Sequence, residues 1–188
     1  MIRLVLMGPP GAGKGTQAVV IAEQLGTPHV STGDIFRANV AAKTELGLEA
    51  KRYMDAGKYV PDSVTNDMVR DRLTQADALG GFLLDGYPRT VAQVAELDAM
   101  LGAAGHHLDK VVALTVDTNE VVERLLKRAA EHGRSDDTEE VIRHRLELYA
   151  EQTEPLLSIY RERGLLAEVD GLGAVHEVTA RVVAALNQ

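Results

Sequence analysis

The stretch GPPGAGKGTQ, Gly8 to Gln17, sets four glycines and two prolines around a single lysine, directly after the apolar run MIRLVLM. Gly8-x4-Gly13-Lys14 between a strand and a helix is the spacing of a phosphate-binding loop, the P-loop. Its glycines let successive N–H groups turn inward and let the main chain approach phosphate oxygens. A helix starting near Lys14 adds the positive end of its dipole. Lys14 is a point charge for the outer phosphates. In such loops Ser or Thr ordinarily follows the lysine and touches Mg2+. Here Gly15 takes that place and Thr16 comes next, which argues against a direct Thr16–metal bond. A plain Gly/Pro turn is the competing reading, and the strand–loop–helix context speaks against it.

Ligands of open α/β sheets sit beyond the C-terminal ends of the strands. The run GFLLDGYPR ends in Asp85, where a carboxylate holding Mg2+, directly or through water, is expected. A helix cap is the bland alternative. Gly86-Tyr87-Pro88-Arg89 then leaves as a turn, with Pro88 stiffening it and Arg89 beside the site. Ser31 with Asp34 three residues on is a capping-box-like start. Arg37, one turn later, is either a solvent-facing charge or a site residue. Arg124 and Arg128 share a helix face and repel by ~0.2–0.5 kcal/mol. A phosphate would relieve that, as would Glu120 and Glu131. Arg134 opens GRSDD. Arg145 falls on the next helix, where Ile142, Leu146 and Tyr149 read as a buried stripe that leaves it on another face. The six histidines lack ligand spacing: His106-His107 lies at a turn, His144 lies between arginines, and His132 is the one near the site.

These residues need a scaffold. IRLVLM, PHVS, GGFLLDG, Lys110–Asp117 and GLLAEVDG read as five buried strands. Helices are predicted in TQAVVIAEQLG, Asp34–Gly57, Asp62–Leu79, TVAQVAELDAMLGAAG, Asn119–Ala130, Thr138–Arg163 and Ala174–Leu186. Strands alternating with helices mean an α/β fold with a parallel sheet covered on both faces. About fifty residues separate the second and third strands, more than one crossover needs, so a helical insertion near Thr32–Val60 is expected.

The 188 residues fit one domain, with 45% hydrophobic and 26% charged residues. A net charge of −8 argues against nucleic-acid binding. No apolar run approaches the ~20 residues of a membrane helix, and the N-terminus lacks the form of a signal peptide. The absence of cysteine excludes disulfides and thiolate metal sites. A cytoplasmic enzyme is the expectation.

Together GPPGAGKGTQ, STGDIFR, AGKYVPD, GFLLDGYPRT-x2-Q, GRSDD…RHRL and VDG before the last helix resemble the adenylate kinase family, in order over nearly the whole chain. The resemblance implies a P-loop three-layer α/β/α domain over 1–188 with a five-stranded parallel sheet, interrupted by an AMP-binding helical insertion at 31–60 and a minimal lid loop at 129–135. It implies reversible, Mg2+-dependent transfer of the γ-phosphoryl of ATP to AMP, giving two ADP, in adenine nucleotide homeostasis. Gly11, Ala12, Gly13, Lys14, Gly15 and Thr16 would hold the ATP phosphates, with Arg124, Arg128 and Gly173 also on ATP. Thr32, Arg37, Lys58, Tyr59, Val60, Gly86, Tyr87, Pro88, Arg89 and Gln93 would surround AMP. Arg134 and Arg145 would bridge the transferring group and the AMP phosphate. Lys14, Arg37, Arg89, Arg128, Arg134 and Arg145 would form the catalytic set, and Asp85 would hold Mg2+ through water. Longer relatives carry a sizeable lid, some with zinc on four cysteines; the short loop and missing cysteines exclude zinc here. A monomer acting on ATP, AMP and ADP, with no nucleic-acid or membrane partner, is expected, and both 32–60 and the lid are expected to close around the nucleotides. A kinase for another nucleoside monophosphate is the near alternative, disfavoured by Thr32. A GTPase switch lacks any NKxD motif, and a nucleotide-binding module without activity sits poorly with the arginine set.

Overall fold

The computed structural model describes residues 2–133 and 138–187. Five parallel strands, β1 (Arg3–Met7), β2 (His29–Ser31), β3 (Phe82–Asp85), β4 (Lys110–Thr115) and β5 (Leu166–Asp170), form one sheet in the order β2-β3-β1-β4-β5. Side chains alternate between its faces. Val5, Met7, Phe82, Leu84, Val111 and Ala113 pack against α4 (Asp62–Leu73), α5 (Val91–Ala103) and α8 (Pro155–Glu162). Leu4, Leu6, Leu83, Val112 and Leu114 pack against α1 (Lys14–Leu25) and α9 (Val175–Leu186). The three central strands β1, β3 and β4 therefore bury both faces, which is why they read as apolar runs, whereas the edge strand β5 leaves Glu168 and Asp170 exposed.

Between β2 and α4 lie α2 (Thr32–Ala41) and α3 (Glu45–Asp55), with a small core of Phe36, Ala50 and Val60. The single helical segment expected over Asp34–Gly57 is two helices. Lys43 adopts a left-handed φ of 54°, and Thr44 caps α3 by accepting from the Gly47 amide. Gly47 lets the pair close: a Cβ there would lie 2.1 Å from the Asn39 carbonyl oxygen.

The remaining arm comprises α6 (Thr118–His132), α7 (Glu139–Leu148), a π-helical turn at Tyr149–Thr153 and α8. The continuous helix expected over Thr138–Arg163 is thus broken by the π turn, after which Pro155 starts α8 at its first position, where its missing N–H costs nothing. The expected loop at 129–135 begins later than read: α6 continues through His132 and ends at Gly133, whose left-handed φ of 58° stops the helix. Likewise α4 stops at Leu73 rather than Leu79.

Candidate active site

The loop between β1 and α1 turns on glycines that cannot be replaced freely. Gly13 caps α1 at φ 91°, and Gly11, at φ 83°, lies against α6, where a Cβ would meet Leu125 Cγ at 2.9 Å. Leu125 is fully buried, so the loop and the helix carrying Arg124 and Arg128 are packed as one unit. Lys14 folds back over the loop, its Nζ donating to the carbonyls of Gly8 (2.7 Å) and Pro9 (3.0 Å). Burial lowers the pKa of Lys14 to about 8. Asp85 pulls it upward, while Arg89, Arg145 and Arg128 push it further down. The loop thus gathers positive charge, with the Asp85 carboxylate pulling the Lys14 pKa the other way.

Asp85 closes β3, and its Oδ2 lies 3.5 Å from His29 Nε2. Burial alone would raise its pKa, but the His29 imidazole and the Lys14 ammonium hold the carboxyl below the ordinary carboxylate value. Gly15 faces it: a Cβ there would lie 3.9 Å from Oδ2.

Two cavities meet above these strand ends. The larger, about 900 Å³, has Gly11 to Gln17, Asp85, Arg124, Arg128 and Gly173 in its walls. The smaller, about 110 Å³, is walled by Thr32, Phe36, Met54, Lys58 to Val60, Thr65, Gly86 to Pro88, Gln93, Tyr149 and Thr153. Lys14, Arg37, Arg89 and Arg145 belong to both. One phosphate-binding loop, two compartments and four cations at their junction suit two phosphorylated ligands placed end to end.

The adenylate kinase family model matches residues 6–165. The chain is 66% identical to an adenylate kinase of Nocardioides sp., covering 99% of this chain and 97% of that protein. It is 63% identical to one from Kocuria rhizophila over the full length of both, and 64% identical to one from Renibacterium salmoninarum over 100% of this chain and 97% of that one. This chain belongs to the adenylate kinase family. Adenylate kinases are phosphotransferases that move the γ-phosphoryl of ATP reversibly to AMP.

Every site residue expected from the sequence falls in a wall of one cavity or both, apart from Arg134, which lies outside the described residues. Local contacts refine several of them. Ser31 does cap α2, accepting from the Asp34 amide at 3.2 Å, but the Asp34 carboxylate pairs with Arg37 at 2.6 Å instead of completing a box. Arg37 lies across Gly33, where a Cβ would meet Nη2 at 2.9 Å. Arg124 pairs with Glu120 and donates to the Gly171 carbonyl at 3.4 Å, so the salt bridge forms while the side chain stands in the wall of the larger cavity. Tyr87 is 1% exposed, and its hydroxyl donates to Asn66 Oδ1, so it is a core side chain that offers the site only its backbone. Gln93 is also buried: Oε1 accepts from the Arg89 amide at 2.7 Å and Nε2 donates to Asp62 Oδ1 at 2.8 Å. Tyr149, read as part of a buried stripe facing away from Arg145, stands in the same cavity wall as Arg145 while Ile142 is buried.

Sequence reading missed Gln17, His29, Asp62 and Thr153. Gln17 joins the chain's two ends, its Nε2 donating to the Val175 carbonyl and its Oε1 accepting from Thr179. The signal for Gln17 was a polar residue four positions before Ile21, on the helix stripe that Ala18, Ile21 and Ala22 mark as buried; nothing in the sequence marks Thr153.

Proposed function

We propose that the larger cavity takes ATP and the smaller takes AMP, so that the transferring phosphoryl lies among Lys14, Arg37, Arg89 and Arg145. The observation that carries this is the presence of these four cations in the walls of both compartments. The P-loop amides and Lys14 then hold the β- and γ-phosphates, Arg124, Arg128 and the Gly173 backbone flank the donor, and Thr32, Lys58 to Val60, the Gly86–Arg89 turn and Gln93 hold the acceptor. Arg134 joins from 129–135, the lid in this reading, and 31–60 forms the acceptor side. The AMP phosphate is anionic at neutral pH and is its own nucleophile, so no general base is required. The residues contribute positioning and stabilisation of charge on the transferring oxygens. Mg2+ entering with ATP fits beside Asp85, because it needs only one or two carboxylates when phosphates and water complete its shell, and it supplies charge neutralisation at the phosphates. The protein works as a cytoplasmic monomer in adenine nucleotide balance; among the described residues no helix is long and apolar enough to cross a membrane.

A coupled assay of ADP formation with AMP, CMP, UMP and GMP tests the assignment. Turnover should be highest with AMP; equal or higher turnover with a pyrimidine monophosphate would overturn it.

A pH dependence follows from Lys14. Its charged form binds phosphate, and in the free enzyme that form is lost as pH rises through about 8. Bound phosphates raise the pKa again. Accordingly kcat/KM for ATP should fall about tenfold per pH unit well above 8 while kcat stays level further up. Lys14→Arg should abolish that alkaline limb, since arginine does not titrate there. A kcat/KM profile flat to pH 9.5 in the wild type would contradict this reading.

A further inference from the structure

Thr153 ends the π-helical turn and is 4% exposed, in the wall of the smaller cavity. Its hydroxyl has two partners from distant segments. It donates to the Arg89 carbonyl at 2.7 Å, and it lies 2.6 Å from the Tyr59 hydroxyl. One hydroxyl carries one proton, so with that proton on the Arg89 carbonyl the Tyr59 hydroxyl is the donor to Thr153. The ring of the same Tyr59 lies under the Arg89 guanidinium, 5.2 Å from Cζ to the centroid, within cation–π range.

We propose that Thr153 is a positioning residue for phosphoryl transfer, fixing at once the main chain of Arg89 and the aromatic ring on which its guanidinium rests. This rests on the assignment of Arg89 to the transferring group. The π turn supplies the reason for its geometry. Eight residues along an α-helix overshoot two turns by ~80°, so Thr153 would drift from the face carrying Arg145. The i→i+5 turn, with the Glu154 amide bonded to the Tyr149 carbonyl at 2.8 Å, absorbs the extra residue. Arg145, Tyr149 and Thr153 consequently share one cavity wall. One hydroxyl then ties the helical insertion, through Tyr59, to the β3 turn and to the arm bearing Arg145.

The test is steady-state kinetics on Thr153→Val, Thr153→Ser and Tyr59→Phe, each also in an Arg89→Ala background, with melting temperatures measured throughout. Valine keeps the shape and removes both hydrogen bonds; serine keeps both; Tyr59→Phe keeps the ring and removes the donor. Thr153→Val should lower kcat about tenfold, the scale of a sub-ångström misplacement of a charged group, with KM for ATP unchanged. Thr153→Ser should restore kcat, and Tyr59→Phe should fall between. In the Arg89→Ala background Thr153→Val should cost nothing more. Wild-type kcat in Thr153→Val, or an undiminished loss in the Arg89→Ala background, overturns the proposal. Should Thr153→Val fail to fold, wild-type kcat in Tyr59→Phe together with no rescue by Thr153→Ser overturns it equally. A near-wild-type Arg89→Ala enzyme would instead sink the assignment of Arg89 itself, a separate outcome.

Discussion

Replacing Lys14 by methionine should lower kcat/KM for ATP by about 10³-fold, the upper scale for one preorganised donor. Methionine keeps the unbranched stem that fills the loop and removes only the ammonium. That ammonium sits at the junction of both cavities and in the free loop is satisfied by the Gly8 and Pro9 carbonyls. Both carbonyl bonds are exchangeable for phosphate oxygens, so the group is held ready near its working position. The loss should appear in kcat as well as in KM, because charge accumulates on the transferring oxygens after binding. Stability should not suffer. Burial disfavours the charged lysine, so its folded pKa lies below the ordinary 10.5 and the unfolded chain binds the proton more tightly. The penalty is fully present below pH 8 and fades as pH rises toward 10.5, so the variant should melt no lower than the parent at pH 7. Activity within tenfold of wild type would rule out Lys14 as a phosphate ligand.

Arg89→Ala should lower kcat/KM by at least ~10²-fold, about 2.7 kcal/mol. Arg89 is held from three directions. Its amide is fixed by Gln93, its carbonyl by Thr153 and its guanidinium by the Tyr59 ring. Alanine preserves the two backbone bonds, so the turn should keep its shape and the loss should be one of function. Arg89→Lys tests the fork: it restores charge without planar bidentate donors and should recover only part of the rate. Unchanged kinetics in Arg89→Ala would remove this residue from the reaction.

The sequence made some of this legible and hid the rest for physical reasons. Gly8 to Lys14 could be read because a loop of amides needs glycine at fixed places between a buried strand and a helix. Asp85 could be read because a charge ending an apolar run must lie at a strand end. The break at Lys43 was hidden, since a left-handed residue that is not glycine carries no mark. Pro155, which starts α8, lies inside the stretch expected as one helix over 138–163, and the π turn before it has no compositional signature. Ala129 and Ala130 favour helix, so α6 runs past the point where a loop was expected. Thr153 could not be found at all: its importance lies in two partners 94 and 64 residues away.

The order of the strands has a consequence for biogenesis. Strand β1 leaves the ribosome first, yet it lies at the centre of the sheet, between partners that begin at Phe82 and Lys110. One edge of β1 must therefore wait for β3, complete at residue 85 of 188, and the other for β4, complete at residue 115. Even then Gln17 lacks the Val175 and Thr179 groups that complete its bonds until the closing helix emerges. The nucleotide loop is thus made ahead of its sheet partners and completed only with α9, a delay in which unpaired apolar surface stays open to aggregation.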